Sequence, residues 1–144
     1  MIALDTNILI HAHRKDASLH APAYQAVKEL AESQRPWSIC FHGLIEFYGV
    51  VTQAKIWRNA STPEQAFKQI SAWKAAPGLR IIKDSEECLE WLERLATKAK
   101  IHGALINETR IAACCLTHGV TELWTVDRDF SRFPELKTRN PLNS

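Results

Sequence analysis

Five acids carry most of the chemistry open to this chain: Asp5, Glu46, Glu108, Asp127 and Asp129. Asp5 follows the apolar run Met1-Ile2-Ala3-Leu4, which has no polar face and reads as a short strand buried on both sides. Thr6 and Asn7 then suit the start of a helix. A carboxylate therefore sits at the carboxyl end of a central strand, beside a helix N-terminus, and open α/β sheets hold their ligands at that edge. The alternative is that Asp5 only caps the helix. Asp127 also follows a strand, residues 122–126, and in a parallel sheet the two strand ends share one edge. Glu46 and Glu108 fall in the N-terminal halves of two helices. Glu108 precedes the core-facing Ile111 and Ala112 by three and four residues, which places it at the margin of a buried helix face.

Carboxylates that converge repel one another, and burying them unpaired is costly. A divalent cation between them removes the conflict, and hard oxygen donors select Mg²⁺ or Mn²⁺. Such an ion activates water and stabilises the leaving oxygen of a phosphodiester, a hydrolysis with no covalent intermediate. The competing reading is a set of separate caps and surface acids. Basic residues border the candidate site: Arg128 and Arg132 flank Asp127, and Arg110 is close to Glu108. They are candidates for gripping phosphates. Other chemistries fit less well. His42 and Glu46 are one helical turn apart, but no further His or Cys has the spacing of a zinc site. No Gly-x-Ser-x-Gly, phosphate-loop or dinucleotide glycine pattern is present. Cys114 and Cys115 lie in mid-helix without a partner for nucleophilic work.

Strands alternating with helices must position these acids. The pattern predicts strands at 1–4, 37–41, 79–82, 122–126 and, at an edge, 136–138. Helices are predicted at 22–33, 44–54, from Thr62-Pro63 to about 77, from a Ser85-Glu86-Glu87 cap onward, and at 105–117 before a His118-Gly119 stop. The helix after Thr62 is expected to bury Ala66, Phe67, Ile70 and Trp73, and the tryptophans read as packing residues. This alternation implies parallel pairing.

The chain has 144 residues, 46% of them hydrophobic, enough for one domain with a sizeable core. No apolar run reaches membrane-spanning length, and the N-terminus lacks a signal-peptide pattern, so the expected location is the cytoplasm. Cys40, Cys88, Cys114 and Cys115 read as reduced. The net charge of +2 gives no general affinity for polyanions.

Three segments together resemble the PIN-domain nucleases, particularly the VapC-type toxins of bacterial toxin–antitoxin pairs. They are Leu4-Asp5-Thr6-Asn7; Glu108-Thr109-Arg110-Ile111-Ala112-Ala113 with His118-Gly119; and residues 125–134, from Thr125-Val126-Asp127 to Phe133-Pro134, with Arg139-Asn140-Pro141-Leu142. The resemblance spans the chain and implies a single PIN-like α/β domain over residues 1–144, with a central parallel sheet flanked by helices. It also implies Mg²⁺-dependent ribonuclease activity, an RNA substrate and a cognate small antitoxin. Asp5, Glu46, Glu108 and Asp127 are carried over as catalytic, metal-holding acids, Asp129 as an accessory acid, and Thr125 or Asn7 as polar contacts. The family adds to the general expectation of a homodimer, with Phe47, Tyr48 or Trp57 read either as contact residues or as core. One position departs from the family pattern: Glu108 stands where the third acid is normally Asp. That opens a second reading, a catalytically weakened protein of the same fold that binds RNA or an antitoxin. It also leads to the expectation that Glu108→Asp raises activity.

Overall fold

A computed structural model describes residues 1–143. The strands are β1 (Ile2–Leu4), β2 (Trp37–Cys40), β3 (Leu79–Ile82), β4 (Glu122–Trp124) and β5 (Lys137–Arg139). The helices are α1 (Thr6–His13), α2 (His20–Glu32), α3 (Phe41–Val51), α4 (Pro63–Lys74), α5 (Cys88–Ala99) and α6 (Ile106–Thr117). Two 3-10 turns, Gly103–Leu105 and Arg128–Arg132, precede α6 and follow β4.

All strand pairs are parallel, in the order β3-β2-β1-β4-β5. The chain builds outward from β1 to β2 and β3, then returns through α5 and α6 to lay β4 on the other side of β1. The direction of building therefore switches between β1 and β4. In such sheets the crevice for a ligand opens at the carboxyl ends of the two strands beside the switch.

The three central strands are buried on both faces, and their residues alternate between two cores. Leu4, Trp37, Ile39 and Trp124 pack with α1 to α4, around Ile8, Leu9, Phe47 and Trp73. Ala3, Cys40 and Leu123 face α5, α6 and the second 3-10 turn. On that side small residues meet small residues: Ala112, Ala113, Cys114 and Cys115 of α6 share the cluster with Ala3 and Cys40. Their size lets the helix lie close on the sheet. All four cysteines are free and buried, and a hydrogen bond with Cys40 plus burial push the Cys114 thiol far above its ordinary range.

Capping chemistry sets several element ends. Thr62 accepts from Gln65 N at 3.1 Å, and the Gln65 side chain returns a bond to Thr62 N at 2.9 Å, a capping box with Pro63 in the first turn. Gly119 stops α6 with φ of +75°, a conformation that favours glycine.

The differences from the expected elements have local causes. No turn separates β2 from α3; the helix begins at Phe41, which leaves that ring 53% exposed. At α5 no side chain caps the helix; Ser85 supplies its carbonyl to Cys88 N at 3.0 Å instead. The predicted strand at 122–126 ends two residues early: Thr125 N still bonds Arg139 O at 2.9 Å, but Val126 N leaves the sheet for Asn7 Oδ1. Phe67 is 58% exposed and not core, because the buried face of α4 runs through Ala66 and Trp73.

Candidate active site

Asp5 is 8% exposed and meets three donors. Its Oδ1 accepts from Thr6 N at 2.8 Å, which caps α1. Its Oδ2 accepts from the Thr125 hydroxyl at 2.7 Å and from Asn7 Nδ2 at 3.2 Å. A carboxylate has about four lone-pair directions, so these three bonds leave about one for anything else. Burial raises the Asp5 carboxyl above its ordinary pKa; the Thr125 and Thr6 bonds oppose this, and the nearby charges of Asp127 and Glu46 add to it.

Thr125 ties the two strand ends together. Its oxygen also accepts from Asp127 N at 3.0 Å and from Asn7 Nδ2 at 3.3 Å. Asn7 Oδ1 in turn accepts from Val126 N at 3.4 Å. The segment after β4 is thus clamped onto the segment after β1 by neutral side chains. Gly43 of α3 belongs to the same packing, since a Cβ there would come within 3.3 Å of Thr6 Oγ1.

Asp127 caps the second 3-10 turn, its Oδ1 accepting from Asp129 N at 2.8 Å. This turn brings the two acids side by side. Glu108, in the first turn of α6, joins them: one carboxylate oxygen from each of Glu108, Asp127 and Asp129 lies within 4.8 Å of the others. Asp129 is therefore a full member of the cluster. The signal for this in the sequence is the Asp-x-Asp spacing, which a capping turn folds back on itself. Glu46 stands further out, half exposed on α3 and 3.1 Å from His42 Nε2. It reaches the site through its charge on Asp5.

The donor set is all carboxylate, partly buried, with mutual repulsion, and among the described residues one ion pair reaches it, Arg132 at 4.0 Å from Asp129. That chemistry fits a hard divalent ion. A second gathering of ligand-capable groups, Cys88, Cys114 and His118, lies behind the sheet. There His118 Nδ1 is committed to Cys114 O at 2.9 Å, and the two thiols belong to the core. We read it as packing.

Of the three arginines named from sequence, Arg110 is bound to Asp84 through Nε at 2.6 Å. Arg132 leans towards Asp129, and Arg128 has no carboxylate within 4.0 Å among the described residues. Phe47 is fully buried and so is no contact residue, and Trp57 is held by Val50 O and by Arg14 over its ring.

This parallel sheet with acids at its switch point defines a class. The sequence model of the PIN domain matches residues 2–136, and the chain belongs to that family. Its relatives include Ribonuclease VapC43 of Mycobacterium tuberculosis, 30% identical over 143 residues, covering 99% of this chain and 97% of that protein. Among solved structures, VapBC2 from Rickettsia felis, bound to a DNA fragment from its promoter, is 26% identical with a TM-score of 0.69, covering 96% of this chain and 98% of the other. FitAcB from Neisseria gonorrhoeae shares the fold with a TM-score of 0.71 at 18% identity, each chain being fully covered.

Proposed function

We propose that this chain is a divalent-metal-dependent endoribonuclease, the toxin of a VapBC-like toxin–antitoxin pair acting in the cytoplasm. The observation that carries the reading is the meeting of Glu108, Asp127 and Asp129 oxygens within 4.8 Å, with the buried Asp5 outside that group but joined to Asp127 through Thr125. The relatives that are VapC ribonucleases support it. Glu108, Asp127 and Asp129, with the remaining lone pair of Asp5, would hold Mg²⁺ or Mn²⁺. Bound there, the ion supplies Lewis acidity and an activated water for phosphodiester hydrolysis, yielding a 5′-phosphate and a 3′-hydroxyl. Thr125 and Asn7 orient the Asp5 carboxylate and keep the β4 end in register with it. Glu46 adds negative charge at the rim, held in place by His42.

No helix among the described residues is long and apolar enough to cross a membrane, in keeping with the proposed location. A small antitoxin has a surface to dock on. Phe41, Ile45 and Tyr48 follow one another along α3 at helical spacing, and the exposed Phe67 ring lies 5.2 Å from Tyr48. Exposed Phe41, Ile45 and Phe67, with the partly buried Tyr48 between them, make an apolar patch that suits a protein contact. We further propose a homodimer, tested by light scattering at high micromolar concentration; a stable monomer there rejects it.

The test of the activity is cleavage of a mixed-sequence single-stranded RNA by the purified protein. Cleavage with Mg²⁺ or Mn²⁺, and none in EDTA, is expected. The absence of cleavage with either ion would leave the weakened RNA- or antitoxin-binding reading. The reach of Glu108 into the cluster argues against that outcome.

A further inference from the structure

Beside the acids a polar pocket of about 400 Å³ opens between the carboxyl ends of β4 and β5. Thr125 and Asp127 form the wall it shares with the acid cluster. The far side is made by Arg128 and Ser131 from the 3-10 turn, and by Thr138, Arg139 and Asn140 at the end of the chain's last strand. The volume is within the ordinary range for small-molecule sites, ~300–1,000 Å³.

The two arginines in this pocket are not tied up in close ion pairs. Among the described residues neither Arg128 nor Arg139 has a carboxylate within 4.0 Å, whereas Arg14, Arg110 and Arg132 each have one. The Arg139 guanidinium is steered by the Trp124 ring, 5.7 Å from its centroid. Asn140 is oriented too. Its Oδ1 accepts from Leu142 N at 2.9 Å, which fixes the amide and leaves Nδ2 as the end free to donate. Two guanidiniums and an amide N–H make a donor-rich site, one wall away from the proposed cleavage centre.

We infer that this pocket holds the nucleotide adjoining the scissile phosphate of single-stranded RNA. Arg128 and Arg139 take its phosphate, and the Asn140 amide, with the Ser131 and Thr138 hydroxyls, meets its base. Guanidiniums match phosphate oxygens with paired donors. Base edges are open to such reading in single-stranded RNA. The inference rests on the ribonuclease reading above and extends it to a subsite that selects substrate.

The experiment measures binding of labelled oligo(A), oligo(C) and oligo(U) ribonucleotides to the chain carrying Asp5→Asn, which keeps the RNA intact, over a range of salt. Thermal melts confirm that each variant is folded. Arg128→Gln and Arg139→Gln are each expected to weaken binding about tenfold and to lower the salt slope by about one phosphate contact. Arg139→Lys restores the slope. Asn140→Asp keeps the acceptor for Leu142 but turns the free donor into an acceptor, so it changes the ranking of the three oligonucleotides. On the Asp5 background, unchanged affinity and slope in both glutamine variants overturn the subsite. An equal loss on all three oligonucleotides with Asn140→Asp overturns the base contact. If the parent neither binds nor cuts RNA, the ribonuclease reading falls and the subsite with it. If the parent cuts RNA and the arginine variants bind like their background, only the subsite falls.

Discussion

Replacing Asp5 by asparagine separates the cost of the site from its use. In the folded chain the Asp5 carboxyl is raised above its ordinary pKa, chiefly by burial. The folded state therefore holds this proton at a pH where the unfolded chain has lost it. The linkage sign follows: stability falls as pH rises from the ordinary carboxyl value to the raised one, by at most about 1.4 kcal/mol per pH unit. Asparagine has no such proton and escapes the loss. It has a different defect. If its amide oxygen keeps the Thr6 N–H, its NH₂ faces Asn7 Nδ2 and a Thr125 oxygen already accepting from Asp127 N. A buried donor left without a partner costs about 1–3 kcal/mol. In acid, then, Asp5→Asn is less stable than the parent by about that amount, and the gap narrows or reverses towards neutral pH. Urea unfolding in EDTA from pH 4 to 7.5 measures it. Saturating Mg²⁺ or Mn²⁺ at neutral pH should then stabilise the parent, by about 2.7 kcal/mol at a hundredfold excess over Kd, and stabilise the variant much less. RNA cleavage should be lost. A gap that is constant or widens with rising pH refutes the burial argument; near-parental cleavage by folded Asp5→Asn refutes the site.

Against the expectation from sequence that Glu108→Asp raises activity, the structure leads us to expect slower cutting of RNA, because the oxygen that now meets Asp127 and Asp129 within 4.8 Å would withdraw by about one carbon–carbon bond, ~1.5 Å; initial rates with Mg²⁺ and Mn²⁺ check it, and a faster enzyme shows the site is not built for glutamate. Thr125→Val removes the donor to Asp5 and the acceptor of Asp127 N. It should cost about 1–3 kcal/mol in urea unfolding and weaken Mn²⁺ binding about tenfold in calorimetry. Phe47→Ala should cost about 3–5 kcal/mol and Phe67→Ala less than about 0.5 kcal/mol, the two compared by urea unfolding. Cys114 should resist iodoacetamide in the native protein and react on unfolding, as its raised thiol and burial require; peptide mass mapping at pH 8 decides it.

Where pattern and burial coincide, the sequence was a sufficient guide. The run at 1–4 is apolar throughout and that at 37–40 is apolar but for the small Ser38, so both faces had to be covered, and helices cover both. Thr62-Pro63 starts a helix because an unpaired N–H needs an acceptor and proline lacks one to satisfy. Legibility failed where the deciding contact is distant in sequence. Phe41 sits next to a strand yet faces out, because α3 starts without a turn and rotates it off the core. Phe67 is at helical spacing with buried neighbours, but among the described residues its ring meets Tyr48 on one side and stays 58% exposed. The subsite beyond Asp127 joins a turn after β4 to the end of β5, and only the parallel pairing of β4 with the edge strand β5 brings Arg128 and Arg139 to one mouth.

For Asp5 and Asp127 the sequence left two readings, helix cap or site acid. The geometry lets one side chain serve both roles by dividing the oxygens. In Asp5, Oδ1 holds Thr6 N and Oδ2 turns to Thr125 and Asn7. In Asp127, Oδ1 holds Asp129 N. Each acid uses one oxygen to fix its own backbone turn, and the turn fixes where the other oxygen goes. Local chain geometry thereby supplies the preorganisation that a metal site needs, with no long side chain to immobilise. Glu108 has no such cap and depends on the packing of α6 through Ala112 to Cys115 against β1 and β2 for its position. A cavity opened under that helix, for instance by Cys115→Gly, is therefore expected to loosen Glu108 before it disturbs Asp5 or Asp127. Weaker Mn²⁺ binding with an intact Asp5 titration would bear this out, and an unchanged Mn²⁺ affinity in a destabilised variant would refute it.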